Sequence, residues 1–248
     1  MFLWPDTVAF VLLAAMPGGD VSAAGSSALA APPTAEMVQV LLAGKAGVPE
    51  GFDPAALFSL GDFLYAVGPR QKPSIHYFHR DTSSGSLAYA GSVGVTKTDC
   101  WDSSTSLVGG RLYVLLTRPG DNTLAWRDLD AKTGKAVEKG VTPKLAWTDR
   151  PGHTEPVAWT KMLVSSSDGK SIYVTTERAI LRFKIAADGE PVPAGQLTGD
   201  GIGEYIFAAP DGKWLYTMTH KPVPAIACIQ CQPDGQITLT NIVKLDPK

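Results

Sequence analysis

The sequence predicts an all-β fold built from repeated four-stranded antiparallel units, and three observations carry that expectation. An apolar residue followed by tyrosine recurs after a turn in "GDFLYAV", "GRLYVLL", "DGKSIYV" and "DGKWLYT", which places tyrosines at 65, 113, 173 and 216. A second apolar stretch follows each, "SIHYF", "TLAWR", "AILRF" and "AIACI", and then a turn glycine, Gly85, Gly134, Gly189 or Gly235. The 248 residues also carry 25 glycines and 19 prolines, and no long segment keeps a 3.6-residue apolar period, so turns are many and helix is scarce. A four-stranded unit recurring about every 40 to 60 residues cannot bury its faces alone and must stack on its neighbours, which is the signature of a β-propeller blade.

The elements follow in order. Val8 to Met16, "VAFVLLAAM", is too short to span a bilayer, and "VSAA" offers cleavage after Ala23 or Ala24. Residues 1–24 are therefore expected to be an export signal, to the periplasm or the cell exterior, although the first basic residue is Lys45. Residues 25–36, "GSSALAAPPTAE", read as a linker. The propeller domain is expected over 37–248, opening with an outer strand at 37–42 and continuing in blades at 53–95, 103–143, 157–198 and 202–243. The third copy shows the plan: "KMLVSS", the turn Asp168-Gly169-Lys170, "SIYVTT", "AILRFKI", the turn Asp188-Gly189 and "VPAGQL". Apolar and β-branched residues alternate between turn residues, as half-buried antiparallel strands require. Beyond the first three turn glycines stand Gly91, Gly140 and Gly195, with Asn241 in the fourth copy.

"SSSDGKSIYVTTERAILRFKIAADG" and "AAPDGKWLYTM" resemble the repeats of the YVTN and lactonase-type propellers, whose members include 6-phosphogluconolactonases. The resemblance covers residues 53 to 243 and rests on turn and core positions, so it implies the fold more strongly than the activity. It implies sugar-lactone hydrolysis if the chain is an enzyme. Seven blades are usual in that family, and four lead to the expectation of part of a longer propeller, ahead of a closed four-bladed ring or a ring of several copies. An open arc would expose strand edges and invite association.

Composition and motifs exclude several chemistries. A net charge of −2 with scattered Lys and Arg provides no basic stripe for phosphate, so nucleic acid is not an expected partner. Cys228-x-x-Cys231 invites a redox, zinc or zinc-deaminase reading. The third cysteine, Cys100, completes no second pair, and Ala227 stands where the deaminase pattern has Pro. In a strand, residues i and i+3 face opposite sides with Cα atoms about 10 Å apart, beyond disulfide reach. The pair therefore reads as two strand positions, Cys231 packing in the blade. "GDGIG" at 199–203 matches neither a dinucleotide fingerprint nor a P-loop, and no G-x-S-x-G elbow occurs. No cofactor and no metal site is expected.

Chemistry should then be sought on the face where the loops entering each innermost strand meet the loops between second and third strands. That face gathers Asp99, Trp101 and Asp102 from "TDCWD", and Asp149, Arg150, His153 and Glu155 from the insert "WTDRPGHTEP". Asp200, Glu204, Arg70, Lys72, Arg118, Glu177, Arg178, His220 and Lys221 join them. His153, Glu155 and Arg150 are the candidate catalytic group, with His or Glu activating water and Arg holding a developing oxyanion. Asp99, Trp101, Asp102, Asp149, Arg118, Arg178 and His220 are candidate ligand contacts. Two functions fit: an exported binding or scaffold module taking a small molecule or protein at the channel mouth, preferred because no complete catalytic signature accompanies the repeats, and a lactonase-like hydrolase.

Overall fold

The computed structural model describes residues 56–245 apart from 69–73, 82, 95–101, 118–119, 151–152, 158, 200 and 221–222. The expected export signal, linker and strand at 37–42 lie outside the described residues. Each tyrosine repeat forms one antiparallel sheet whose strands pair in chain order. Sheet 1 comprises β1 (Ala56–Leu60), β2 (Phe63–Gly68), β3 (Ser74–Arg80) and β4 (Leu87–Gly94). Sheet 2 comprises β5 (Asp102–Val108), β6 (Arg111–Thr117), β7 (Thr123–Leu129) and β8 (Ala136–Val141). The insert, read from sequence as a loop, folds as a hairpin of β9 (Ala146–Arg150) and β10 (His153–Pro156). Sheet 3 comprises β11 (Thr160–Ser165), β12 (Ser171–Thr176), β13 (Ala179–Ile185) and β14 (Pro191–Thr198). Sheet 4 comprises β15 (Tyr205–Ala208), β16 (Trp214–Thr219), β17 (Ala225–Cys231) and β18 (Ile237–Lys244). The first strands β1, β5, β11 and β15 lie side by side, so the sheets are blades of a propeller arc. Among the described residues no helix is long and apolar enough to cross a membrane.

The blades are joined by three apolar layers. Phe63, Tyr65, Val67, Ile75 and Tyr77 of sheet 1 pack on Leu112, Val114, Leu116 and Ala125 of sheet 2. Tyr113, Leu115, Leu124 and Trp126 on the opposite face of sheet 2 meet Leu163, Ile172, Val174, Leu181 and Phe183 of sheet 3. Tyr173 and Ile180 then meet Ile202, Ile206, Leu215 and Ile229 of sheet 4. The repeated tyrosine thus faces the following blade. Tyr113 donates its hydroxyl to the carbonyl of Gly189 at 2.9 Å, and Tyr173 donates to Gly235 at 3.0 Å. The turn glycines of the third and fourth repeats are therefore the acceptors for the tyrosines of the second and third.

A β-bulge recurs between the third and fourth strands of all four sheets, after Tyr77, Trp126, Arg182 and Cys228. Gly91, Gly140, Gly195 and Asn241 stand opposite these residues. Steric space explains two of the glycines: a Cβ at Gly91 would lie 2.6 Å from the Tyr77 hydroxyl, and one at Gly140 would lie 2.5 Å from the Trp126 ring. Small Cys228 leaves room for Asn241. Cys228 and Cys231 are free thiols on opposite faces, with Cys231 packed in the layer between sheets 3 and 4. Burial pushes the Cys231 thiol up, away from the reactive thiolate.

Candidate functional site

The hairpin is held from its base. Asn122, buried at the start of β7, donates to the Val157 carbonyl at 2.5 Å and accepts from the backbone and hydroxyl of Thr160 at 3.3 and 3.1 Å. Leu145 N–H donates to the Asn122 backbone carbonyl at 2.8 Å, so one residue, through its side chain and its backbone, ties both ends of the insert to sheet 2. Farther up, Thr148 N–H donates to Gln196 Oε1 at 2.9 Å, and Gln196 Nε2 donates back to the Thr148 carbonyl. The side-chain amide of β14 thus imitates a neighbouring strand.

Held this way, the hairpin walls a cleft of about 210 Å³ whose other side is the turn between β12 and β13. Trp147, Glu155 and Trp159 face Thr176, Glu177 and Arg178 across it, and the Lys161 ammonium lies 5.8 Å above the Trp159 ring. The turn is preset by Thr176, whose hydroxyl accepts from the N–H groups of Arg178 and Ala179. Of the residues singled out in sequence, Glu155, Glu177 and Arg178 line this cleft together. Arg150 and His153 pair across the hairpin backbone. Their side chains lie outside the described residues, as do those of Asp102 and Asp149 and the whole of Asp99, Trp101 and Arg118.

The adjoining blade adds a second group. Glu204 enters β15 with φ +33°, the one non-glycine residue at positive φ among the described residues, a conformation that costs on the order of 1–3 kcal/mol. Thr175 holds it there by donating to its carbonyl at 2.9 Å. Gly203 beside it lies so close to the Glu177 carbonyl that a Cβ would come within 3.1 Å. The Glu204 carboxylate is largely buried and meets Nδ1 of His220, which follows β16 and leaves half its side chain exposed. The two groups are close enough to form an ion pair when the imidazole is protonated, and Glu204 Oε2 makes no hydrogen bond among the described residues. Its place in the loop entering the first strand of the fourth repeat put Glu204 on the rim in sequence; its partnership with His220 and the cleft tryptophans carried no local signal. Among the described residues no group of three or more His, Cys, Asp and Glu side chains is placed to hold a metal ion.

No protein-family model matches the chain, and no curated protein sequence matches it. Solved structures do match in fold. The chain is similar to a protein from Lactobacillus plantarum at 18% identity and a TM-score of 0.59, covering 78% of this chain and 56% of that one. It is similar to the periplasmic gluconolactonase of Pseudomonas aeruginosa at 15% identity and a TM-score of 0.59, over 78% of this chain and 55% of that one. A hypothetical selenium-binding protein from Sulfolobus tokodaii matches at 10% identity and a TM-score of 0.56, over 79% of this chain and 56% of that one. The chain therefore spans a little over half the length of these structures. At such identities the likeness is one of fold.

Proposed function

We propose that the chain is a lactonase-like hydrolase of a sugar lactone, working on the rim where Glu204 and His220 meet. The observation that carries this reading is that contact: a buried carboxylate on strained backbone, set against a half-exposed imidazole beside a cleft containing Arg178. His220 Nε2 takes a proton from water as the water oxygen bonds to the lactone carbonyl carbon. Glu204 stabilises the imidazolium, and Arg178 faces the oxyanion. Collapse breaks the bond from carbonyl carbon to ring oxygen, and the imidazolium returns its proton to that oxygen, giving the open hydroxy acid. The fold likeness to a gluconolactonase supports the substrate class. Arg150, His153 and Glu155 contribute from the hairpin, Glu155 as a cleft wall that hydrogen-bonds sugar hydroxyls.

The test is hydrolysis of gluconolactone by the full chain, followed as acid release. His220→Ala and Glu204→Gln are each expected to lower kcat by about 10²–10⁴, with Glu155→Ala raising KM. A loss seen instead with His153→Ala alone moves the base to the hairpin. No turnover, or turnover indifferent to all three sites, leaves the rim as the contact surface of a binding module. Export is part of the same proposal, and N-terminal sequencing of periplasmic protein is expected to begin at Ala24 or Gly25.

A further inference from the structure

We infer that the cleft between the β9–β10 hairpin and the β12–β13 turn is a subsite for a pyranose ring carried by the lactone, so that the substrate is a disaccharide lactone. The inference rests on the lactonase reading for the reaction and on the cleft itself for the ring. The cleft adjoins the Glu204 and His220 pair through its own backbone. Thr176 and Glu177 line it, and their carbonyls lie 3.4 and 3.1 Å from the place a Cβ would occupy on Gly203, the residue before Glu204. A lactone held at Arg178 has the hairpin wall opposite it. That wall is built from Trp147, Pro156 and Trp159, with Glu155 among them.

Three features select the occupant. Both indoles are steadied from outside the cleft's chemistry: Trp147 packs on the apolar layer between sheets 2 and 3, and the Lys161 ammonium lies 5.8 Å from the Trp159 ring. Steadied rings present flat apolar faces on which the C–H face of a pyranose stacks with little ordering left to do. Glu155 and Glu177 line the same space, and carboxylates accept hydrogen bonds from the hydroxyls around a sugar's edge. An acyl chain would cover those carboxylates and offer them no donor, a burial cost that a sugar avoids. The size agrees: about 210 Å³ is below the roughly 300–1,000 Å³ of drug-sized ligand pockets and suits a single ring.

The test uses the full chain with cellobionolactone and gluconolactone as substrates, and with their open acids as ligands that need no turnover. Cellobionate is expected to bind at least about 10-fold more tightly than gluconate by calorimetry, and cellobionolactone to have a KM lower than that of gluconolactone by a similar factor. Trp147→Ala and Trp159→Ala should each remove most of that preference, while Trp147→Phe, which keeps a ring face, retains it. Unchanged circular dichroism separates a lost subsite from lost folding. Equal affinities for the two acids, or a preference that survives both alanine variants, overturns the inference. So does a lactone with an acyl chain in place of the second ring that gains as much as the disaccharide. Tryptophan-dependent binding of cellobionate without turnover of either lactone sustains the sugar subsite and removes the hydrolase reading, whereas turnover of gluconolactone with no gain from the second ring does the reverse.

Discussion

Three buried tyrosines occupy equivalent positions and differ in one bond. Tyr113 and Tyr173 reach a turn carbonyl on the next blade, whereas the Tyr65 hydroxyl is buried without a hydrogen-bond partner. Tyr173→Phe and Tyr113→Phe should therefore each cost about 1 kcal/mol in urea unfolding, while Tyr65→Phe should be neutral or stabilising. Burial pushes the phenols of Tyr65 and Tyr173 up from 10.0 to about 12, with the Asp130 charge adding at Tyr65. A raised folded value means their contribution is complete below pH 10 and is lost as pH climbs toward about 12. Alkaline unfolding followed by phenolate absorbance is expected in that window, and Tyr65→Phe should shift it upward. The tyrosine spacing was legible along the chain. Which hydroxyl finds an acceptor was not, since that depends on a turn about one blade away.

At the scale of the element, the repeated bulge links a third-strand side chain to the residue opposite it. Gly140→Ala would drive a Cβ into the Trp126 ring, costing about 1–3 kcal/mol through overpacking. In a Trp126→Cys background, copying the Cys228 and Asn241 pairing of sheet 4, the same change should cost markedly less, a coupling measured by a double-mutant cycle. The glycine register was visible in sequence because all four copies repeat it, whereas the bulge that explains it required the sheet. The hairpin shows the converse. "WTDRPGHTEP" forms two strands that are polar or aromatic without clean alternation. They are held by Asn122 and Gln196, residues distant in the chain that no local pattern connects to it.

Across the whole molecule, stability at low pH rests on carboxylates held below their ordinary value. Asp128 is lowered by Arg111, 2.5 Å away across β6 and β7, and Asp168 by the Ser166 hydroxyl. A depressed folded value means the stabilisation is present above the unfolded value of 3.8 and disappears as pH falls through the folded one. Acid titration should accordingly show stability falling below pH 3.8, with Asp128→Asn flattening that limb. Burial also lowers His76, so its share is present above 6.5 and declines as pH drops below it.

By itself the sequence determined the strands, their turns and their grouping into four blades, because alternation, turn glycines and repetition act over a few residues at a time. It also determined that Cys228 and Cys231 point apart, since that follows from strand geometry. Only the tertiary structure decided which rim residues share a site. Glu204 meets His220 because β15 and β16 run side by side, and Glu155 shares a cleft with Arg178 because a hairpin clamped by Asn122 stands beside the turn of sheet 3. Contacts of that kind are set by how blades stack and which backbones they pin, and such distances are not written in the local pattern of any one segment.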